Sequence, residues 1–109
     1  MDSEYDVIIV GGGAAGLSAA IYTTRAQLKT LVVEQLAPGG QILNTSDIEN
    51  YPGFPDGVLG PDIGMAIHRQ AENTGTEFAF DQVIGLKVQG ETKVVVGEER
   101  EYTAKTIII

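Results

Sequence analysis

The chain lacks cysteine and is poor in basic residues, and both features limit its chemistry. No cysteine occurs among its 109 residues, which excludes disulfides, thiolate catalysis and cysteine-ligated metal sites within this chain. Lys and Arg number 7 against 15 Asp and Glu, and the formal net charge is −8. Because nucleic acids and anionic membranes are bound mainly through Lys and Arg, we expect neither to be a partner.

Long apolar segments are also missing. No apolar run approaches the roughly 18 residues of a membrane-spanning helix, and the chain starts with Met-Asp-Ser-Glu, which does not resemble a secretory signal. We therefore expect a soluble, cytoplasmic protein. The sequence contains a single histidine and neither a Ser/His/Asp set nor a metal-ligating cluster, so we predict no catalytic residue and no metal site in this chain.

Glycine, in contrast, is abundant, at 14 of 109 residues, about twice the usual share of about 7%. Residues 5–10 (YDVIIV) are typical of a buried parallel strand, and the run GGGAAG follows directly. Residues 17–28 then fit a helix with one packed face, and residues 31–34 fit a second buried strand. Strand, helix and strand in this order predict an α/β fold that begins with a Rossmann-like βαβ unit.

The glycine-rich turn matches the dinucleotide pattern G-x-G-x-x-G at Gly11, Gly13 and Gly16. In this pattern the first glycine permits the tight turn, the second lets a pyrophosphate approach the backbone, and the third lets the helix pack close to the strand. The helix N-terminus offers free amides and its positive dipole end to the phosphates. Glu34, at the end of the second strand, can accept hydrogen bonds from ribose hydroxyls and would repel a 2′-phosphate. The unit is therefore predicted to bind FAD or NAD and not to favour NADP here.

The remaining chain predicts further strands and one helix. A long loop over residues 35–60 precedes a helix from Pro61 to Asn73 and a third parallel strand over residues 76–80. Short strand-like pieces over residues 83–103 are split by turn signals and predict a small antiparallel β meander. Residues 106–109 begin another buried strand. Because natural domains rarely end inside a core strand, we expect a fragment of a two-domain protein.

The long loop indicates an FAD site and not an NAD site. An NAD-type unit usually turns quickly into its next helix, whereas a flavin ring needs a covering segment with amide groups. The segment PGGQILNTSDIENYPGFP, together with VIIVGGGAAGLSAAIYTTRAQLKTLVVE, closely resembles the N-terminal part of the FAD-binding domain of low-molecular-weight thioredoxin reductases. Gly-Gly-Gln followed by Glu-Asn-Tyr-Pro-Gly is the specific part of the resemblance. In that family an NADPH domain with a redox-active Cys-x-x-Cys interrupts the FAD domain.

The resemblance implies a homodimeric flavoprotein oxidoreductase that carries FAD. Hydride would pass from NADPH to FAD, and electrons would continue to a protein disulfide and to thioredoxin. Residues 1–109 would form the first segment of the split FAD domain; the NADPH domain and the rest of the FAD domain would be absent, so this segment alone would be inactive. Many members of that family have Pro where Ala14 stands, and we expect little loss because Ala is small and favours helices.

The resemblance also implies which residues bind FAD. The backbone amides of the glycine turn would hold the pyrophosphate, and Glu34 would bind the adenosine ribose. Val83 would meet the adenine through its main chain. The loop would supply Gly40 and Gln41 at the ribityl and flavin region, with Ser46 and Asn50 near the isoalloxazine. The complete set is Gly11, Gly13, Ala14, Ala15, Gly16, Glu34, Gly40, Gln41, Ser46, Asn50 and Val83.

Two alternatives remain open from the sequence. One is a ferredoxin- or flavodoxin-linked NADP reductase built on the thioredoxin-reductase scaffold without the cysteine pair, although Glu49-Asn50-Tyr51-Pro52-Gly53 favours the thioredoxin reductases. The other is a non-catalytic dinucleotide-binding module. A downstream Cys-x-x-Cys and a second glycine-rich turn would distinguish the reductase from both.

Overall fold

The computed structural model of the chain describes residues 3–35, 56–57 and 60–109. Within these residues, two helices and six strands follow one another as β1 Tyr5–Val10, α1 Ala14–Arg25, β2 Thr30–Glu34, α2 Gly60–Asn73, β3 Glu77–Phe80, β4 Val83–Gln89, β5 Thr92–Gly97 and β6 Glu101–Ile108. The strands form one sheet in the order β3-β2-β1-β6-β5-β4. Strands β3, β2, β1 and β6 run parallel, whereas β4, β5 and β6 pair antiparallel. The predicted α/β, Rossmann-like fold is confirmed.

Strand β6 joins the parallel sheet to the meander. Its first half pairs antiparallel with β5, from Glu101 opposite Val96 to Ala104 opposite Lys93. Its second half pairs parallel with β1, as far as Ile108 opposite Ile9. The sequence predicted two separate strand-like pieces here, and that prediction is wrong, since one strand spans Glu101–Ile108. Residues 101–108 contain no glycine or proline, so nothing in the backbone interrupts the strand.

The two central parallel strands, β1 and β2, are largely buried, as expected when other elements cover both faces of a sheet. All five residues of β2 are buried. On one face, Ile8, Leu31 and Val33 pack with side chains of β5 and β6. On the other face, Val7, Ile9 and Val32 pack against Ala20 of α1. Since successive side chains in a strand point to opposite faces, the continuous apolar runs supply both clusters.

The two helices pack against each other through a small apolar cluster. Leu17 of α1 contacts a stripe on α2 formed by Ile63, Ile67 and Ala71. Helix α1 begins three residues earlier than the sequence predicted, directly after its N-cap Gly13. It also ends three residues earlier, because Gln27 adopts a left-handed conformation at φ 66° and closes the helix end. Across the described ranges, neither helix is long and apolar enough to cross a membrane.

Candidate functional site

The turn between β1 and α1 lies at the carboxyl end of the parallel strands, where α/β proteins commonly bind ligands. Gly11 has φ +110°, a backbone conformation that glycine adopts without steric cost. Its amide donates a hydrogen bond of 2.9 Å to the Val33 carbonyl. The chain therefore leaves β1 in a turn that is anchored to β2, and it enters α1 directly afterwards.

Gly13 is the N-cap residue of α1, and no described side chain caps the helix there. The Leu17 amide closes the first helical turn by donating to the Gly13 carbonyl at 2.9 Å. A side chain added at Gly13 would meet no described atom within 4 Å, so this side of the turn is open. The first turn of α1 also carries no acidic residue. The positive end of the helix dipole is therefore available to an anion.

Gly16 allows α1 to pack directly on the turn. A methyl group at this position would overlap the Gly11 carbonyl oxygen and would lie 3.2 Å from Ile9 Cγ2. Glycine is therefore needed here for a packing reason, whereas at Gly13 the protein itself leaves room for a side chain. The third glycine of the pattern fixes the shape of the turn, and the second leaves its outer side accessible.

The Glu34 side chain is buried directly beneath the glycine turn. Only 1% of the residue is exposed, and its carboxylate fills the space that a side chain at Gly12 would need. Neither carboxylate oxygen has a hydrogen-bond partner within residues 3–35, 56–57 and 60–109. Burial raises the pKa of Glu34 from its ordinary value of 4.5 to about 7. Because buried carboxylates are costly unless they accept hydrogen bonds, Glu34 is suited to a ligand that carries hydroxyl donors.

Val83 lies close to the end of β2, next to the residue that follows Glu34. The Val83 amide donates to Gln35 Oε1 at 3.2 Å, and Gln82 Nε2 donates to the same oxygen at 2.6 Å. The Asp81 amide also donates to the Glu34 carbonyl at 3.0 Å. These contacts hold the start of β4 beside the end of β2, so Val83 lies near Glu34.

Asp81 anchors the turn between β5 and β6 beside this region. Its carboxylate accepts hydrogen bonds from the Glu99 amide at 3.1 Å, the Arg100 amide at 3.4 Å and the Tyr102 hydroxyl at 2.9 Å. Burial by itself would raise the pKa of Asp81, but these donors outweigh it and the pKa is lowered. A side chain at Gly97 would overlap this carboxylate. Asp81 therefore fixes the meander against β3 and, through the adjacent residues, fixes the position of Val83.

The structure brings most of the expected site residues that it describes to one end of the sheet. A cavity of about 250 Å³ opens beside the turn, and its walls combine the turn with the ends of β1 and β6: Ile9, Val10, Gly11, Gly13, Ala15, Gly16, Ile108 and Ile109. Ala14 and Ala15 form the start of α1. Gly40, Gln41, Ser46 and Asn50 lie outside the described residues. No group of three or more His, Asp or Glu suited to a metal occurs in the part of the chain that the structure describes.

Comparison with known proteins identifies the family. The family profile described as pyridine nucleotide-disulphide oxidoreductase matches residues 5–109. The chain belongs to this family. A thioredoxin reductase of Bacillus subtilis (strain 168) is 46% identical over 105 residues, which cover 96% of this chain and 33% of that protein. A thioredoxin reductase of Rickettsia conorii is 47% identical over 104 residues, which cover 94% of this chain and 34% of that protein.

Solved structures agree with the family assignment. The crystal structure of Lactococcus lactis thioredoxin reductase (FR conformation) superposes with a TM-score of 0.91 at 42% identity, over 95% of this chain and 34% of that one. The crystal structure of T. acidophilum thioredoxin reductase has a TM-score of 0.89 at 27% identity, over 97% of this chain and 34% of that one. The resemblance to thioredoxin reductases is confirmed, and the two alternatives are not favoured. The chain spans about a third of the length of these relatives.

The described residues of this chain fit the adenosine half of a dinucleotide. An open helix N-terminus suits a pyrophosphate. The buried Glu34 carboxylate beside it, which has no partner among the described residues, suits ribose hydroxyls. Gly12 and Gln35 were not among the site residues predicted from the sequence. The three consecutive glycines could have indicated that position 12 also needs glycine. Only a residue without a side chain leaves room there for the Glu34 carboxylate. For Gln35 no local sequence signal exists, because its contact with Val83 links residues 48 positions apart.

Proposed function

We propose that residues 1–109 are the first segment of a split FAD-binding domain in an NADPH-dependent thioredoxin-disulfide reductase. The observation that carries this proposal is the open glycine turn placed directly over the buried Glu34 carboxylate, which has no hydrogen-bond partner in the described part of the chain. The similarity to proteins named thioredoxin reductase supports the specific activity. By the same similarity we propose FAD as the cofactor, NADPH binding by a separate domain, thioredoxin or a similar disulfide protein as the partner, and a cytoplasmic homodimer that binds neither nucleic acid nor membranes.

The chain would bind the cofactor through two kinds of contact. Backbone amides at Gly11 and Gly13 and at the first residues of α1, Ala14, Ala15 and Gly16, would hold the pyrophosphate. The Glu34 carboxylate would accept hydrogen bonds from the adenosine ribose, which would favour its charged form and lower its raised pKa. A 2′-phosphate would bring further negative charge to the same carboxylate, so NADP is disfavoured at this site.

The remaining contacts are proposed from the resemblance. Val83 would meet the adenine through its main chain, while Gly40, Gln41, Ser46 and Asn50 would lie along the ribityl chain and the flavin. When bound, FAD supplies the redox chemistry between NADPH and a disulfide, and the protein supplies binding, orientation and electrostatics. None of the residues of this chain is proposed as a nucleophile or a proton donor in that reaction.

Titration of the purified chain with FAD tests the proposal. We expect saturable binding, followed by quenching of flavin fluorescence, and weaker binding by Glu34→Ala. Glu91→Ala is the matched control because Glu91 lies exposed in the turn between β4 and β5, away from the glycine turn. A wild-type chain that binds no FAD would contradict the proposed function. Equal FAD affinity in wild type and Glu34→Ala would remove the ribose role from Glu34.

A further inference from the structure

The side chain of Gln35 accepts a hydrogen bond from the Val83 backbone amide, which lies within the proposed adenosine site. Gln35 follows β2 directly, and its Oε1 accepts hydrogen bonds from the Val83 amide at 3.2 Å and from Gln82 Nε2 at 2.6 Å. A backbone amide can only donate. The contact with Val83 therefore fixes the orientation of the Gln35 carboxamide, with its oxygen toward β4 and its nitrogen away from that donor.

This contact lies where a nucleotide base would continue from the ribose. In a bound dinucleotide the pyrophosphate lies at the helix N-terminus, and the ribose lies at the acid that ends the second strand. The base extends from the ribose on the side away from the phosphates. With the ribose on Glu34, the next groups along this edge are Gln35 and the Val83 amide, which the bond between the Asp81 amide and the Glu34 carbonyl holds beside β2.

The Gln35 carboxamide has the same hydrogen-bonding groups as the edge of adenine. Adenine presents a ring-nitrogen acceptor beside an amino donor, and a carboxamide presents an oxygen acceptor beside an amino donor. We propose that Gln35 imitates the adenine edge and holds the Val83 amide until adenine displaces it. Gln35 thus competes with the cofactor for the Val83 amide. This inference rests on the proposed function, because it requires an adenine dinucleotide in the glycine-turn site.

Competition of this kind lowers the apparent affinity for the cofactor. When only a fraction of the protein is in the binding-competent state, the apparent dissociation constant rises in inverse proportion to that fraction. Gln35 and its partner Gln82 are exposed, so their contact has the strength of an ordinary hydrogen bond at a surface. One net hydrogen bond corresponds to about a two- to tenfold change in an equilibrium constant. Removal of the Gln35 carboxamide is therefore expected to tighten adenine-nucleotide binding by about that factor.

Two substitutions with opposite expected effects test this role. ADP is the probe, because its adenine, ribose and pyrophosphate involve only the adenosine half of the site, and isothermal titration calorimetry gives its dissociation constant. Gln35→Ala removes the competing oxygen, so we expect tighter ADP binding. Gln35→Glu retains an acceptor for the same two donors and adds negative charge beside Glu34 and the diphosphate, so we expect weaker binding. Gln89→Ala, at the exposed far end of β4, is the matched control and should bind ADP like the wild type.

The outcomes separate this inference from the proposed function. Wild-type ADP binding that is equal to, or tighter than, that of Gln35→Ala overturns the competition by Gln35 and leaves the nucleotide site in place. Gln35→Glu binding as tightly as Gln35→Ala contradicts it as well. If neither the wild type nor any variant binds ADP or FAD, the proposed function itself fails, and the competition fails with it. Circular dichroism of each variant verifies that the fold is retained.

Discussion

The clearest prediction concerns the substitution Glu34→Gln, which keeps the shape of the side chain and removes its charge. The pKa of Glu34 is raised from 4.5 to about 7 by burial. A carboxyl group with a raised pKa in the folded state binds its proton more tightly there than in the unfolded chain. Its contribution to stability is therefore complete below the unfolded pKa of 4.5 and is lost as the pH rises through about 7. Above that range, Glu34 is a buried carboxylate that accepts no hydrogen bond from the residues that the structure describes.

The size of the pKa shift of Glu34 limits how much this residue can change the free energy of unfolding. Each pKa unit corresponds to about 1.4 kcal/mol, so the rise from 4.5 to about 7 sets an upper bound of about 3.5 kcal/mol, which solvent screening reduces. We expect the wild-type free energy of unfolding to fall between about pH 4.5 and pH 7, and Glu34→Gln to flatten that decline. At about pH 8 the variant should be more stable than the wild type in the absence of nucleotide, while it binds FAD less tightly.

Urea denaturation followed by circular dichroism, at about pH 5 and about pH 8, measures this effect through the linkage of stability to pH. Asp6 and Asp81 have lowered pKa values, so their contributions are lost only as the pH falls below their ordinary value of 3.8. They therefore do not titrate within the same window. Glu77→Gln, at an exposed position in β3, controls for general charge effects. If the free energy of unfolding of Glu34→Gln fell with pH as steeply as that of the wild type, the raised pKa of Glu34 would not be the cause of the decline.

Three other substitutions test the geometry around the turn. Gly12→Ala should destabilise the fold by about 1–3 kcal/mol in urea denaturation, because its methyl group would displace the Glu34 carboxylate; stability equal to the wild type would contradict that contact. Gly13→Ala should change stability by less than about 1 kcal/mol but weaken FAD binding, because its methyl group would project into the open side of the turn; unchanged FAD affinity would place the pyrophosphate elsewhere. Asp81→Ala should lower the melting temperature more than Asp56→Ala, since it leaves the Tyr102 hydroxyl and two backbone amides without their acceptor; equal melting temperatures would show that this anchor contributes little.

Local patterns in the sequence predicted most of the fold. The βαβ unit and its glycine turn follow from contiguous residues, because strand burial, helix periodicity and turn geometry are set within short windows. Strand β6 was divided incorrectly, since its two halves have different partners, β5 and β1. Such pairing depends on residues that are distant in sequence and is not visible in a local window.

The candidate site was predicted in outline and not in its details. Glu34 was identified by its place after the second strand, but its burial depends on the missing side chain of Gly12. Whether an acid at a strand end is buried or solvated is decided by such tertiary contacts. The same holds for Gln35, because its partners Gln82 and Val83 are 47 and 48 positions away in the sequence.

The most direct test of the account is residue-resolved nuclear magnetic resonance of the isotope-labelled chain during titration with FAD. The central claim is that the glycine turn and Glu34 together bind the adenosine diphosphate half of the cofactor. We expect the largest shifts at the amides of residues 11–16 and at the Glu34 carboxyl carbon, with little change at Gly90 and Glu91 in the turn between β4 and β5. Saturable binding that leaves the glycine turn and Glu34 unshifted would contradict the account.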